Sequence, residues 1–126
     1  MGIGRSLARA VGVAVVLIGG VAFAGPKEIS GNYTVDGKNA DGSNYTGTAT
    51  IEGTDGGNCA ITWIIGSNQA SHAFCMRQDD VLGAAYQLGD SIGLVIYRIK
   101  DSGVLEGTWT VAGKEGVFEE KLTPKK

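Results

Sequence analysis

Three stretches of the chain repeat one order of apolar and polar positions. Ile29-Ser-Gly31-Asn-Tyr33-Thr-Val35-Asp-Gly37 recurs in outline as Tyr45-Thr-Gly47-Thr-Ala49-Thr-Ile51-Glu-Gly53 and as Leu105-Glu-Gly107-Thr-Trp109-Thr-Val111-Ala-Gly113. In each, apolar residues or glycine alternate with polar ones, among them Thr34, Thr46, Thr48, Thr50, Glu106, Thr108 and Thr110. A period of two predicts strands with one wet and one buried face. Gly31, Gly47 and Gly107 recur at one place on the buried face. A glycine there lets the strand coil and leaves room for a bulky neighbour across the core. The copies begin 16 and then 60 residues apart, unlike a constant-pitch solenoid.

From Gly25 onward, no window holds apolar residues at helical spacing for three turns. Turn-forming residues cluster instead at Asp36–Asn44, Gly53–Asn58, Gly66–Asn68, Arg77–Asp80, Gly89–Ser91, Lys100–Gly103 and Ala112–Glu115. These seven turns divide residues 28–123 into eight strands. Connections this short make neighbours antiparallel, so the expected fold is all-β, an eight-stranded antiparallel up-and-down meander. Closure into a β-barrel removes the unprotected edges, and it is expected ahead of a sandwich or an open sheet. The outer positions read Thr, Glu and Lys, the reverse of a membrane barrel.

The first residues read differently. Arg5 and Arg9 precede an apolar run, Val11–Ala24, that ends Ala22-Phe23-Ala24, the pattern of a signal peptide over residues 1–24 cleaved after Ala24. Gly25 then stands where a lipoprotein would need cysteine. Without those 24 of 126 residues and two of the 11 basic side chains, 102 residues carry nine basic against 13 acidic groups, a net charge of −4. A single barrel domain over 25–126, secreted or periplasmic, is expected. The sequence after Ala24 holds no stretch long enough to span a bilayer as a helix. Nor does it hold a basic stripe that would bind nucleic acid, since Lys125-Lys126 is a lone pair at the chain end.

Two cysteines in an exported chain predict a disulfide between Cys59 and Cys75. If Ser67 centres the hairpin between strands 58–66 and 69–76, the two cysteines stand directly opposite, within bridging distance. That register has a consequence for the faces. Cys59 shares one with Ile61 and Trp63, whereas Cys75 shares one with Ser71 and Ala73. Phe74 and Met76 are left opposite, either as an apolar outer patch or re-aimed by a bulge.

Candidate chemistry is sparse. In the Asp36–Asn44 loop, setting Gly42 as the turning glycine of a calcium loop puts Gly37 at the first ligand position and Thr48 at the last, so a plain hairpin loop fits better. With one histidine and no clustered thiolates, no metal or cofactor is expected. His72 could join Ser71 or Ser91 with Asp79 or Asp80, but no serine has the context of a nucleophile. Adjacent acids on a strand face opposite ways, so neither Asp79-Asp80 nor Glu119-Glu120 can flank one bond. Glu120 has the parity of Phe118 and Leu122; turned inward, it would need Arg98 or a tyrosine hydroxyl as partner. Tyr33, Tyr45, Trp63, Tyr97 and Trp109 are core candidates that, with Glu120, could also line a ligand site at a barrel end. Asn32-Tyr-Thr34 and Asn44-Tyr-Thr46 have the form of glycosylation acceptors.

The strings GNYTVDGKNADGSNYTGTATI and GLVIYRIKDSGVLEGTWTVAGKEGVFEEKLTP resemble small exported proteins of Gram-negative bacteria labelled fibronectin-binding protein, over nearly the whole chain after the leader. The resemblance implies adhesion to host matrix and carries no binding residues with it. The Gly-x-Tyr33 and Gly-x-Trp109 strands are also similar to those of avidin-like and lipocalin-like barrels, a likeness of fold. The expected function is therefore non-catalytic binding, of a protein surface or of a small apolar ligand. The alternative is a periplasmic inhibitor of an exported enzyme, acting through a loop or terminus. An enzyme is not expected, because no catalytic set presents itself. A cavity inside the barrel would favour the small ligand, and a filled interior with one protruding segment would favour inhibition.

Overall fold

The computed structural model describes residues 28–67 and 69–126; the leader expected over residues 1–24 lies outside the described residues. Eight strands follow in order: β1 (Gly31–Lys38), β2 (Asn44–Gly53), β3 (Asn58–Ile65), β4 (Gln69–Gln78), β5 (Val81–Leu88), β6 (Ser91–Ile99), β7 (Leu105–Val111) and β8 (Phe118–Pro124). Each pairs antiparallel with the next, and β8 pairs with β1 to close the barrel. Closure leaves no unpaired edge among these strands. The meander and the barrel both stand as the alternation predicts.

Because successive strands run in opposite directions, the barrel has two chemically different ends. At the end where β1 begins, the interior is filled by Ile51, Ile61, Leu82, Leu105 and Leu122, all essentially without solvent contact. The segment before β1 seals this end. Ile29 is buried, its carbonyl accepts a 2.6 Å bond from the Tyr33 hydroxyl, and the Ser30 hydroxyl accepts one from the Gly53 amide. Lys125 N–H reaches Asn32 O, so the residues after β8 tie down beside the start of β1.

Cys59 lies opposite Cys75 in an unbroken β3–β4 register, and the two form a disulfide. Of the two outcomes left open for this hairpin, the outer patch is the one realised. Phe74 and Met76 are 66% and 62% exposed, and Ile92, Leu94 and Ile96 on β6 are similarly open. Cross-strand pairing places them in one field. Phe74 is opposite Ala85, which is opposite Leu94; Met76 is opposite Gly83, which is opposite Ile96. The expectation of Thr, Glu and Lys on the outside thus holds on β1, β2, β7 and β8, and fails on β4–β6. There the outer face carries a run of large apolar residues as well, and inward Ala73 and Cys75 are smaller than outward Phe74 and Met76. No helix among the described residues is long and apolar enough to cross a membrane.

The glycines of the repeat divide by role. Gly47 and Gly107 face inward, and a Cβ at either would collide with backbone of a neighbouring strand: Ile64 O on β3 for Gly47, Ile96 O on β6 for Gly107. Gly31 has inward parity but sits exposed at the start of β1, at φ 147°, with no atom near its missing side chain. It serves backbone geometry rather than packing.

Candidate functional site: a carboxylate beneath an aromatic pocket

Glu120 is the third residue of β8 and points inward. Its partner on β1 is Gly37 and its partner on β7 is Gly107. With no side chain on either flank, the carboxylate extends across the barrel. Gly37 has a second effect: a Cβ there would overlap the Tyr45 ring, so its absence lets that ring lie over the β1 backbone towards Glu120. The Tyr45 hydroxyl donates to Glu120 Oε1 at 2.6 Å. From β3, Trp63 Nε1 donates to Oε2 at 3.2 Å, and from β6 the Tyr97 hydroxyl donates to the same oxygen. Three strands therefore converge on a carboxylate from a fourth.

Above Glu120 the barrel is not filled. A cavity of about 260 Å³ opens at this end, walled by Tyr45, Trp63, Ser71, Tyr86, Trp109 and Glu120. Its rings pack edge to face. Trp63 and Tyr86 stand 5.6 Å apart at 63°, Tyr45 and Trp109 6.4 Å apart at 65°, and Trp109 also leans on Phe118 at 4.9 Å. Tyr86 owes its position to another missing side chain, because a Cβ on Gly93 would occupy its ring. Trp109 Nε1 is buried with no hydrogen-bond partner among the described residues. A donor left unpaired in this way costs about 1–3 kcal/mol.

Burial sets the protonation of the site. It raises the Glu120 carboxyl above the usual range, more than the bonds from Tyr45, Tyr97 and Trp63 lower it. The phenols move up as well. Tyr86 is pushed to about 12 by burial and then by the Glu120 charge. Tyr45 and Tyr97 rise further, again by burial first and then by Glu120. All three phenols are therefore donors at neutral pH, and burial works against ionisation of the Glu120 carboxyl to which two of them bond.

Of the residues proposed from sequence, Tyr45, Trp63, Trp109 and Glu120 share the pocket wall. Tyr97 lies beneath it, fully buried, and acts through its bond to Glu120. Tyr33 lies apart, at the sealed end against Ile29. Tyr86 and Ser71 were missed. Tyr86 carries a usable signal, because it has the parity of buried Leu82 and Ala84 and pairs with Gly93. Of the two partners considered for Glu120, tyrosine is the one found; Arg98 points outward and pairs with Asp80 at 2.9 Å.

The other candidates have local roles. His72 is exposed on the outer face, 3.2 Å from the Thr62 hydroxyl. Asp79 occupies the β4–β5 turn at φ 56°. In the β1–β2 loop, Asp41 Oδ1 accepts bonds from the Ser43 amide and hydroxyl, and Asn39 N–H reaches Ser43 O, which makes a self-bonded hairpin loop. No group of three metal-ligating side chains occurs among the described residues. Compared with known proteins, the chain matches no protein-family model and no curated protein.

Proposed function

We propose that this chain is an exported, non-catalytic binding protein whose ligand is a small molecule held in the open end of the barrel. One observation carries the reading: a barrel sealed at one end keeps, at the other, a ring-lined cavity directly over its one buried carboxylate. Walls of apolar and aromatic side chains with a few convergent polar groups are the ordinary composition of a ligand site. The volume lies just below the roughly 300–1,000 Å³ that take drug-sized molecules, so the occupant is small. Glu120, already accepting three bonds, serves as an anchor rather than as a proton-transfer group. The inhibitor reading fits less well, because the longest described connection, residues 112–117, is short and the interior is open.

Native mass spectrometry of the protein recovered from its own host's exported fraction tests this reading. A small molecule retained by the native protein and lost in Trp109→Ala supports it; a ligand-free protein whose tryptophan emission is unmoved by a broad metabolite extract contradicts it. A protein-facing role of the kind the resemblance implies would fall to another surface, the apolar outer face of β4–β6 around Phe74 and Leu94. Its measure is binding to immobilised fibronectin, abolished by Phe74→Ser with Leu94→Ser.

A further inference from the structure

We propose that the open-end pocket takes a small organic cation of the ammonium type, seated among Tyr45, Trp63, Tyr86 and Trp109 and paired with Glu120. The proposal rests on this pocket being the binding site and names the chemistry of its ligand.

Glu120 is only 9% exposed, yet every group that bonds to it is neutral: two phenols and an indole. No lysine or arginine lines this cavity. Lys38 and Lys121 line a second cavity that Glu120 borders, but both are exposed. The ion pairs found among the described residues, Arg98 with Asp80 and Lys100 with Glu106, lie in solvent outside the barrel. The carboxylate is thus a buried charge that hydrogen bonds solvate but no opposite charge balances, a costly arrangement. Its two oxygens offer about four acceptor sites and receive three bonds, so acceptor capacity remains, with Oε1 taking only one. Four rings around that capacity add a second attraction, since an aromatic face draws a cation through its quadrupole, more strongly when water is excluded. A ligand anion would meet the carboxylate charge directly. A neutral ligand would gain the apolar walls but leave that charge unbalanced.

The test holds shape constant and varies charge. Choline, its uncharged carbon analogue 3,3-dimethylbutan-1-ol and the anion 3,3-dimethylbutanoate are titrated into the full secreted protein. The readout is the emission of Trp63 and Trp109, which are the chain's two tryptophans and both line the pocket. Choline is expected to bind at least tenfold tighter than the alcohol, and the carboxylate not at all. Glu120→Gln should bring choline to the affinity of the alcohol and leave the alcohol unchanged.

A second arm needs no variant. In the native protein, choline affinity should fall on acidification through the Glu120 titration while that of the alcohol stays level. Inside the barrel the groups facing Glu120 are Tyr45 on β2, Trp63 on β3, Tyr86 on β5, Tyr97 on β6 and Trp109 on β7, with glycines at its cross-strand positions on β1 and β7. The charged side chains nearest it otherwise, Asp36, Lys38, Glu106, Glu119 and Lys121, are exposed and line a second cavity that Glu120 also borders. If the alcohol or the carboxylate binds as tightly as choline, or if neither pH nor Glu120→Gln separates choline from the alcohol, the cation assignment falls and the pocket stands. If none of the three moves the emission, both fall.

Discussion

Where β1 begins, Ile29 covers a floor of leucines and isoleucines; where β1 ends, four rings stand around open space above Glu120. The same eight strands build both ends, and the difference lies in which side chains each strand brings there. The sealed end takes branched aliphatic residues that exclude solvent from one another. At the open end the inward positions alternate between very large and absent side chains: Tyr45 over Gly37, Tyr86 over Gly93, Glu120 between Gly37 and Gly107. Rings that lean into glycine gaps line a wall without filling the centre. The sealed end supplies the stability that lets the open end keep a cavity, a buried carboxylate and an unpaired indole N–H.

The largest expected effect lies at the sealed end. Leu122→Ala removes a side chain with no solvent contact and should cost about 2–5 kcal/mol in a chemical denaturation series, with tryptophan emission in the folded state unchanged. Replacing both Cys59 and Cys75 by serine should cost about 3 kcal/mol, for a loop of this length. Thiol labelling of the unfolded, unreduced protein should find no reactive thiol; two per chain would remove the bridge from the account.

Glycine substitutions sharpen the contrast between packing against backbone and packing against a ring. Gly107→Ala drives a methyl into the backbone of β6 and should destabilise by about 1–3 kcal/mol. Gly93→Ala meets only the far end of Tyr86, which can swing away, so it should cost less stability and instead alter the pocket. Equal losses of stability in the two variants would contradict that division.

The pH response follows from Glu120. Folding raises its pKa, so between the unfolded and folded values the native state holds more protons than the unfolded one. Stability from this group is greatest below the usual carboxyl range, about pH 4–5, and falls as pH rises through the folded value. Glu120→Gln should flatten that decline in thermal melts. The smallest effect belongs outside: Phe74→Ser should stay within about 0.5 kcal/mol of the native protein.

How legible all this was depended on local contrast. β1, β2 and β7 alternate Thr or Glu with apolar residues, so period and face could both be read. On β4–β6 large apolar residues stand on both faces and residue size misleads, since outward Phe74 outweighs inward Ala73. The cysteine register puts both sulfurs on one side but leaves an outer patch and a bulge as alternatives, and only the unbroken β3–β4 pairing decides for the patch. Tyr86 was missed for a related reason: Ala84 and Ala85 precede it, and its face depends on Gly93 in the next strand. Parity puts Tyr33 on the same face as the pocket residues but does not give its end of the barrel. Strand direction alternates, so the third residue of β1 and the second of β2 lie at opposite ends.

A crystal structure of the protein grown with choline tests the central claim most directly. The account predicts density for the cation among Tyr45, Trp63, Tyr86 and Trp109, its ammonium facing Glu120, with the sealed end unchanged. Density confined to the outer face of β4–β6, or an open end collapsed and filled by its own rings, would contradict it.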